Sequence, residues 1–559
     1  MFENILEKEN RKVFLLGNEA VVRGALEAGV QYVSTYPGTP ASEIGNNLYQ
    51  IQNSDKKIKN LHFEFSVNEK VAIEGAAGAA FSGLRSLVAM KNFGLNVASD
   101  FLLPLVYTGI KAGMVILIAD DPSCWSSAQS EENTRAFAYL SHIPILEPST
   151  PQECKDFVKL GFELSEKFDI PIMVRETTRV SHQSAPVKLD KINISRTVLG
   201  NAKFIKNHKK FVTMPPRVLE MHQELLEKIE KIRNYSEKSP LNKIEEGSTS
   251  IDLGIITSGI SYLYVKEAIK ELNLSLPVLK LGFFHPLPKK KIKKFIKGLK
   301  KVLIVEELDP YLEREITVLA KQANCQLEIV GKELISEVGE LKPEIVIQAV
   351  AKISKINYKL LTINYKLPGE KRHPQLCSGC PYWLIFSGIK RATKGKDVIF
   401  GGGIGCYMLA GLPPHNIQDY LYCMGASAGI AHGIAKASGP TFAKASTGKQ
   451  KVISLMGDST FFHSGIPPII NAVFNKSNPL IIIMNNSTTA MTGHQPHPAA
   501  AKVEDKIDIE SLVRSCGVKN LKVIDPVKQN ELVKTIQEFL NKKEVSVIIA
   551  RHPCKFVQE

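Results

Sequence analysis

Two pairs of polar residues, each at the end of an apolar run, carry the most specific chemistry in the sequence. The run KVISLM (451–456) stops at Gly457-Asp458, and after a helix-length interval the run LIIIM (480–484) stops at Asn485-Asn486. If both runs are parallel strands joined by a helix, Asp458 and Asn486 stand at the strands' carboxyl ends, where such sheets bind ligands. A carboxylate oxygen, an amide oxygen and a nearby backbone carbonyl are hard donors that suit Mg²⁺ bridging a diphosphate. A Gly-Asp pair alone more often marks a turn, and it is the second half at βαβ spacing that favours the metal. His463, His494 and His497 flank the motif and are placed to move protons, although each taken singly reads as a hydrogen-bonded structural histidine. Cys377 and Cys380 are separated by the two-residue gap that lets both thiolates reach one metal or cluster, the alternative being buried thiols that line a turn.

These residues need rigid elements to position them, and the sequence supplies an α/β rhythm. Between 13 and 190, short apolar runs such as VFLL (13–16), YVSTY (32–36), MVILIAD (114–120) and IPIMVR (170–175) alternate with helical stretches, among them one from about Asn18 and one over 72–80. Residues 184–250 break the rhythm with a lysine-rich connector and one amphipathic helix near Val218–Ile232. A second α/β segment runs from IDLGIITSG (251–259) through KVLIVEE (301–307) and fades near Ile353. A third opens near His373 and ends with the strand-like VSVIIA (545–550). The expected fold is therefore multidomain α/β, with domains at 1–190, 251–360 and 361–559 and a connector at 191–250.

A chain of 559 residues with 44% apolar content has enough material for several full cores. No apolar run is long enough for a membrane span, and the acidic start (Glu3, Glu7, Glu9) is not a signal peptide, so a cytoplasmic location without membrane attachment is expected. Nine cysteines without a secretory signal favour free thiols or metal ligands over disulfides. The net charge of +15 is spread over scattered lysines and short clusters such as Lys289–Lys294, with no nucleic-acid signature; it reads as a solvated basic surface that favours docking of an acidic electron carrier.

The segment from Gly457 to Gln495 resembles the diphosphate-binding motif of thiamine-diphosphate (TPP) enzymes, with Ser459 in place of that motif's usual glycine. The segments GNEAVVRGALEAGV (17–30), YPGTPASEI (36–44), ITSGISY (256–262) and MTGHQPHP (491–498) narrow this further. The chain resembles the large subunit of indolepyruvate ferredoxin oxidoreductase, within the 2-oxoacid:ferredoxin oxidoreductases, over nearly its whole length. The resemblance implies a doubly wound pyrimidine-binding domain at 1–190, a smaller transketolase-C-like domain at 251–360 and a doubly wound diphosphate-binding domain at 361–559. It implies Gly457, Asp458, Ser459, Asn486, Thr488 and Gly425 as cofactor contacts, with Asp458, Asn486 and Thr488 on Mg²⁺.

TPP chemistry needs a carboxyl hydrogen-bonded to N1′ of the pyrimidine, and the segment SVNEKVAIEGAA (66–77) resembles the one that supplies it, which points to Glu69 with Glu74 and Glu64 as competitors. Thr39 matches the family's loop beside the reacting centre, which implies that its hydroxyl binds the substrate carboxylate, the alternative being that it shapes a turn between two prolines. Cys406 matches a third cysteine that ligates a 4Fe–4S cluster in related oxidoreductases; Cys423, Cys516 or Cys554 would complete the four. The implied reaction converts a 2-oxo acid, an arylpyruvate, and coenzyme A to an acyl-CoA and passes electrons to ferredoxin or an iron–sulfur subunit, in a heteromer with a small (beta) subunit. The family usually continues into a ferredoxin-like tail with two runs of four cysteines, whereas this sequence stops at RHPCKFVQE (551–559). The expectation is that a separate carrier replaces the tail or that the acceptor differs. The rival readings are a non-oxidative TPP decarboxylase or carboligase, and an inactive partner-binding subunit.

Overall fold

The computed structural model describes residues 2–193, 202–247, 252–358, 374–438, 451–501 and 503–557. The carboxyl end of the expected connector, the 360/361 boundary and His373 lie outside the described residues. The chain forms two compact units, Met1–Asn364 and Tyr365–Glu559.

In the first unit a seven-stranded sheet has the order Phe283–His285, Ile145–Leu146, Ile172–Thr177, Met114–Asp120, Ser86–Lys91, Tyr32–Thr35, His62–Phe65. All neighbours are parallel except the outermost Phe283–His285. Every residue of Met114–Asp120 and of Ile172–Thr177 is buried, as strands covered by helices on both faces require. A second sheet of five strands has Leu253–Ser258 at its centre, flanked by Lys301–Val305 and Val278–Leu281, with Glu328–Val330 and the antiparallel Lys243–Glu245 outside.

The run at 13–16 departs from the expected rhythm. Lys12–Leu16 pairs antiparallel with Ser184–Lys188 in a separate ribbon. Its burial explains why: Phe14 is 65% exposed and only Leu15 is buried, so one face of this strand stays in water, whereas a strand of the covered sheet buries both.

One stretch of backbone, 278–285, serves both sheets, as Val278–Leu281 in the five-stranded one and Phe283–His285 in the seven-stranded one. At the crossover, a Cβ on Gly282 would sit 2.8 Å from both Cβ and the carbonyl oxygen of Leu241, so only glycine lets the strand pass. The same seam holds a buried ionic network. Arg135 grips Glu147 with two bonds of 2.7 Å, and also donates to Glu306 at 3.0 Å and Ser258 at 2.6 Å. Arg175 donates to Asp120 at 2.8 Å and to Glu147 at 3.1 Å. Asp120, Arg135, Glu147 and Arg175 belong to the seven-stranded side; Ser258 and Glu306 belong to the other.

The second unit is one parallel six-stranded sheet, in the order Tyr420–Leu421, Val398–Gly402, Lys451–Gly457, Leu480–Asn485, Ser546–Arg551, Asn520–Ile524. Two apolar layers cover its faces, one built on Phe386, Leu455 and Ile482, the other on Phe461, Ile481 and Ile483. No helix among the described residues is long and apolar enough to cross a membrane.

Replacing Arg135 by Met should remove about 3–5 kcal/mol of unfolding free energy, because in a dry interior Glu306 would lose its guanidinium partner and Glu147 would keep only Arg175. Equilibrium denaturant unfolding followed by far-UV circular dichroism measures this, and a loss below about 1 kcal/mol would show that the network contributes little.

Candidate functional site

In the second unit the strands Lys451–Gly457 and Leu480–Asn485 are sheet neighbours, so their carboxyl ends bring Asp458 and Asn486 together. Asp458 is 2% exposed. Its Oδ1 accepts from the Ser459 N–H and its Oδ2 from the Ser487 N–H, both at 2.8 Å. With its side-chain nitrogen turned to this side, the Asn486 amide donates to the Thr488 carbonyl at 2.8 Å and to Asp458 Oδ1 at 3.3 Å, and its oxygen accepts from the Tyr382 hydroxyl at 3.3 Å. Carboxylate, amide and backbone carbonyl thus stand within reach of one another, and turned the other way the amide oxygen would complete a set of hard donors that suits Mg²⁺.

Local structure explains why the motif stays open. From Asp458 the chain turns straight into a helical path, with a π turn at Phe461–Gly465 ahead of the helix Ile466–Phe474. Pro467 and Pro468 lack the N–H groups that an α-helix would donate to residues 463 and 464, so the ladder slips by one residue there. Gly425, at φ +78°, precedes the helix Ala426–Ala437, and a Cβ on it would lie 2.6 Å from the Ser464 carbonyl oxygen. Glycine is thus required on both counts.

The three histidines part company. The His497 ring is buried, with Nε2 3.2 Å from Asp458 Oδ2, close enough for an ion pair though not aligned for a hydrogen bond. His463 is buried beside Ser464, and His494 is exposed against Phe556.

The thiols also sort themselves. Burial pushes Cys406 up to about 12, and the neighbouring Cys380, Cys554 and Cys377 push it the same way. Backbone contacts fix this grouping: Lys555 donates to the Ser378 carbonyl within the Cys377–Cys380 turn, and the Cys554 N–H donates to the Asn486 carbonyl at 2.9 Å. Cys516 packs against the opposite apolar layer, and Cys423 is exposed. Among the described residues no three His, Cys, Asp or Glu side chains close around a metal-ion position; the ligands of an iron–sulfur cubane stand farther apart than those of one ion.

In the first unit Glu69 opens the helix Glu69–Phe81, capped by Asn68, whose side chain accepts from the Val71 N–H. Glu69 is 5% exposed, whereas Glu64 and Glu74 are only partly buried and Glu64 pairs with His62 at 2.9 Å. The carboxyl lies in a slot that Gly94 keeps open: a Cβ there would come within 2.6 Å of Glu69 Cγ and 2.9 Å of Oε1. Thr39 lies in the loop that follows strand Tyr32–Thr35. Its hydroxyl is 3.2 Å from that of Ser42, and its carbonyl accepts from Ser126 Oγ at 3.2 Å.

Tyr382, Ser487 and Lys91 were not singled out from the sequence. A lone tyrosine or lysine there carries no spacing signal, and Ser487 acts through its backbone.

Two matches to known families cover much of both units. Residues 23–239 match the family described as pyruvate flavodoxin/ferredoxin oxidoreductase, thiamine diphosphate-binding, and residues 403–550 match the C-terminal TPP-binding domain of thiamine pyrophosphate enzymes. The fold is shared with a 2-oxoglutarate:ferredoxin oxidoreductase from Magnetococcus marinus (TM-score 0.50, 18% identity, 62% of this chain and 65% of that one). These findings define the chain as a subunit of a TPP-binding oxidoreductase that acts on 2-oxo acids. Indolepyruvate oxidoreductase subunit IorA of Methanothermobacter thermautotrophicus is 42% identical over 99% of this chain and 88% of its own length; that of Pyrococcus horikoshii is 42% identical over 98% and 86%. The chain belongs to this IorA family of indolepyruvate oxidoreductase alpha subunits. A more distant relative, 2-oxoglutarate synthase subunit KorA of M. thermautotrophicus, is 27% identical over 33% of the chain and 49% of its own.

Proposed function

We propose that this subunit, with a smaller partner subunit, oxidatively decarboxylates an arylpyruvate such as indolepyruvate, yielding the acyl-coenzyme A and passing two electrons to ferredoxin or another iron–sulfur carrier. The observation that carries the reading is the meeting of Asp458 and Asn486, with the Thr488 carbonyl beside them, at the ends of adjacent parallel strands. Bound TPP supplies a nucleophilic carbon and an electron sink for the carboxylate's departure. Asp458, Asn486 and the Thr488 carbonyl would hold a Mg²⁺ that neutralises diphosphate charge, while Gly457, Ser459 and Gly425 would let the backbone come close. His497, against Asp458, fixes the carboxylate's orientation.

In the first unit, Glu69 would hold N1′ of a TPP pyrimidine, the bond that lets the pyrimidine's own amine act as the base. Burial in the Gly94 slot keeps water from competing for that bond. Cys377, Cys380, Cys406 and Cys554 hold one 4Fe–4S cluster, with Cys554 the fourth ligand. The bond from its N–H to the Asn486 carbonyl would place the cluster one hydrogen bond from the diphosphate motif, a short route for electrons leaving the site.

Three measurements test this reading. Asp458→Ala should abolish the thermal stabilisation that TPP with Mg²⁺ gives the parent protein, since only ligand bound to the folded state stabilises it; unchanged TPP affinity would remove Asp458 from the metal site. Glu69→Gln should still bind TPP, yet slow proton–deuterium exchange at the cofactor's C2 by at least about 10²-fold. Parent-like exchange in that variant would move the role to Glu64 or Glu74. Protein purified without oxygen should contain roughly four irons per chain, lost in Cys554→Ser and kept in Cys423→Ser and Cys516→Ser. Iron retained in Cys554→Ser would take Cys554 out of the ligand set.

A further inference from the structure

Lys91 is the last residue of strand Ser86–Lys91 and precedes the helix Asn92–Thr108, at the carboxyl edge of the sheet that carries Thr39 and Glu69. Its stem lies against Gly38: a Cβ there would come within 2.8 Å of Lys91 Cδ and 2.9 Å of Cγ. Gly38 thus makes room for Lys91 as Gly94 does for Glu69. The ammonium donates to Ser127 Oγ at 2.8 Å and lies 5.0 Å from the Phe93 ring centre. No carboxylate among the described residues pairs with it directly; Glu69 and Glu132 act on it at longer range, and Asp121, which accepts from Ser126 and Thr178, reaches it only through the Ser127 hydroxyl. Burial draws the Lys91 ammonium's pKa down, the mark of a charge short of partners. Next to it Asn92 is fully buried with both amide atoms lacking a hydrogen-bond partner, another unmet demand at the same strand end.

We propose that Lys91, on the rim beside the Thr39 loop, is the clamp that holds the carboxylate of the 2-oxo acid. The inference rests on the TPP reading above and deepens it. A desolvated ammonium on a half-open rim, with one hydroxyl bond and no direct carboxylate partner, suits one small anionic group. The diphosphate already has its metal motif in the second unit, and the several phosphates of coenzyme A would need more than a single cation. Thr39 and Ser127 are held in register by the Ser126 Oγ bond to the Thr39 carbonyl, so the clamp is assembled before substrate arrives. Because the carboxylate departs as CO₂, a point charge fixed on it stabilises the ground state at least as much as the transition state. Lys91 is therefore a positioning residue whose loss raises KM more than it lowers kcat.

The test uses the complex with its partner subunit, coenzyme A and a viologen dye. Arylpyruvate and coenzyme A give acyl-CoA, CO₂, one proton and two electrons to the dye; the corresponding arylacetaldehyde gives acyl-CoA, two protons and two electrons, with no carboxylate to bind. Lys91→Met should raise KM for the arylpyruvate roughly 10- to 100-fold and leave the aldehyde reaction and C2 proton exchange within about twofold of the parent. Lys91→Arg should recover part of the loss. Equal losses for acid and aldehyde, or a KM unchanged by Lys91→Met, would overturn the clamp, as would a fall in melting temperature in Lys91→Met, which would mark a structural lysine. A parent complex showing neither TPP-dependent turnover nor C2 exchange would instead strike at the TPP reading itself.

Discussion

A guanidinium withdrawn from water must find a partner for each charge it meets, and in the first unit Arg135 finds them across a sheet boundary. Burial alone would raise Glu147, but Arg135 and Arg175 outweigh it and hold the carboxyl down at about 2. Glu306 accepts at the same time from Arg135 and from the first N–H groups of helix Tyr311–Ala323. These bonds fix the two sheets to one another. They also reach the functional rim: Asp120, held by Arg175, accepts from the Thr134 N–H at 3.0 Å and hydroxyl at 2.7 Å, while Asp121 accepts from Ser126 and Thr178. Both ends of the 121–134 segment are thereby pinned, and that segment carries the Ser126 and Ser127 hydroxyls to Thr39 and Lys91. A salt-bridge network that looks purely structural sets the geometry of the rim.

The second unit solves a different problem by the same economy of position. Parallel strands end at one edge, so groups far apart in the chain become neighbours there without dedicated loops. Asp458, Asn486 and Cys554 each follow a strand of the six-stranded sheet, and Leu480–Asn485 lies between the other two. The Asn486 carbonyl that accepts from Cys554 belongs to the residue whose amide faces Asp458, so the proposed metal and cluster sites share one backbone segment. Movement of either would be felt by the other.

Glycines mark where charged side chains pass close to backbone. Gly94 and Gly38 yield the space occupied by Glu69 and Lys91, and a methyl at either position would collide with a side chain the site needs. A carboxyl and an ammonium thus occupy glycine-lined slots at one sheet edge, which is the basis for the separate roles proposed for them.

By itself the sequence determined the α/β class, the buried strands at 114–120, 451–456 and 480–484, and the Gly457-Asp458 and Asn485-Asn486 ends, because strand period and strand-end chemistry are local properties. It also singled out Cys377, Cys380 and Cys406 and narrowed the pyrimidine partner to three glutamates. Only the tertiary structure separated Glu69 from Glu64 and Glu74, since burial depends on what packs over a helix and not on its first residue. Only it brought Cys554 near Cys406 and the Cys377–Cys380 turn and laid the Lys91 stem against Gly38, because sheet order and crossing backbones, which no local pattern encodes, decide which strand ends meet. The edge strand at 12–16 shows the converse: an apolar run reads the same whether one of its faces or both are covered, and the choice falls to the partners that the folded chain provides.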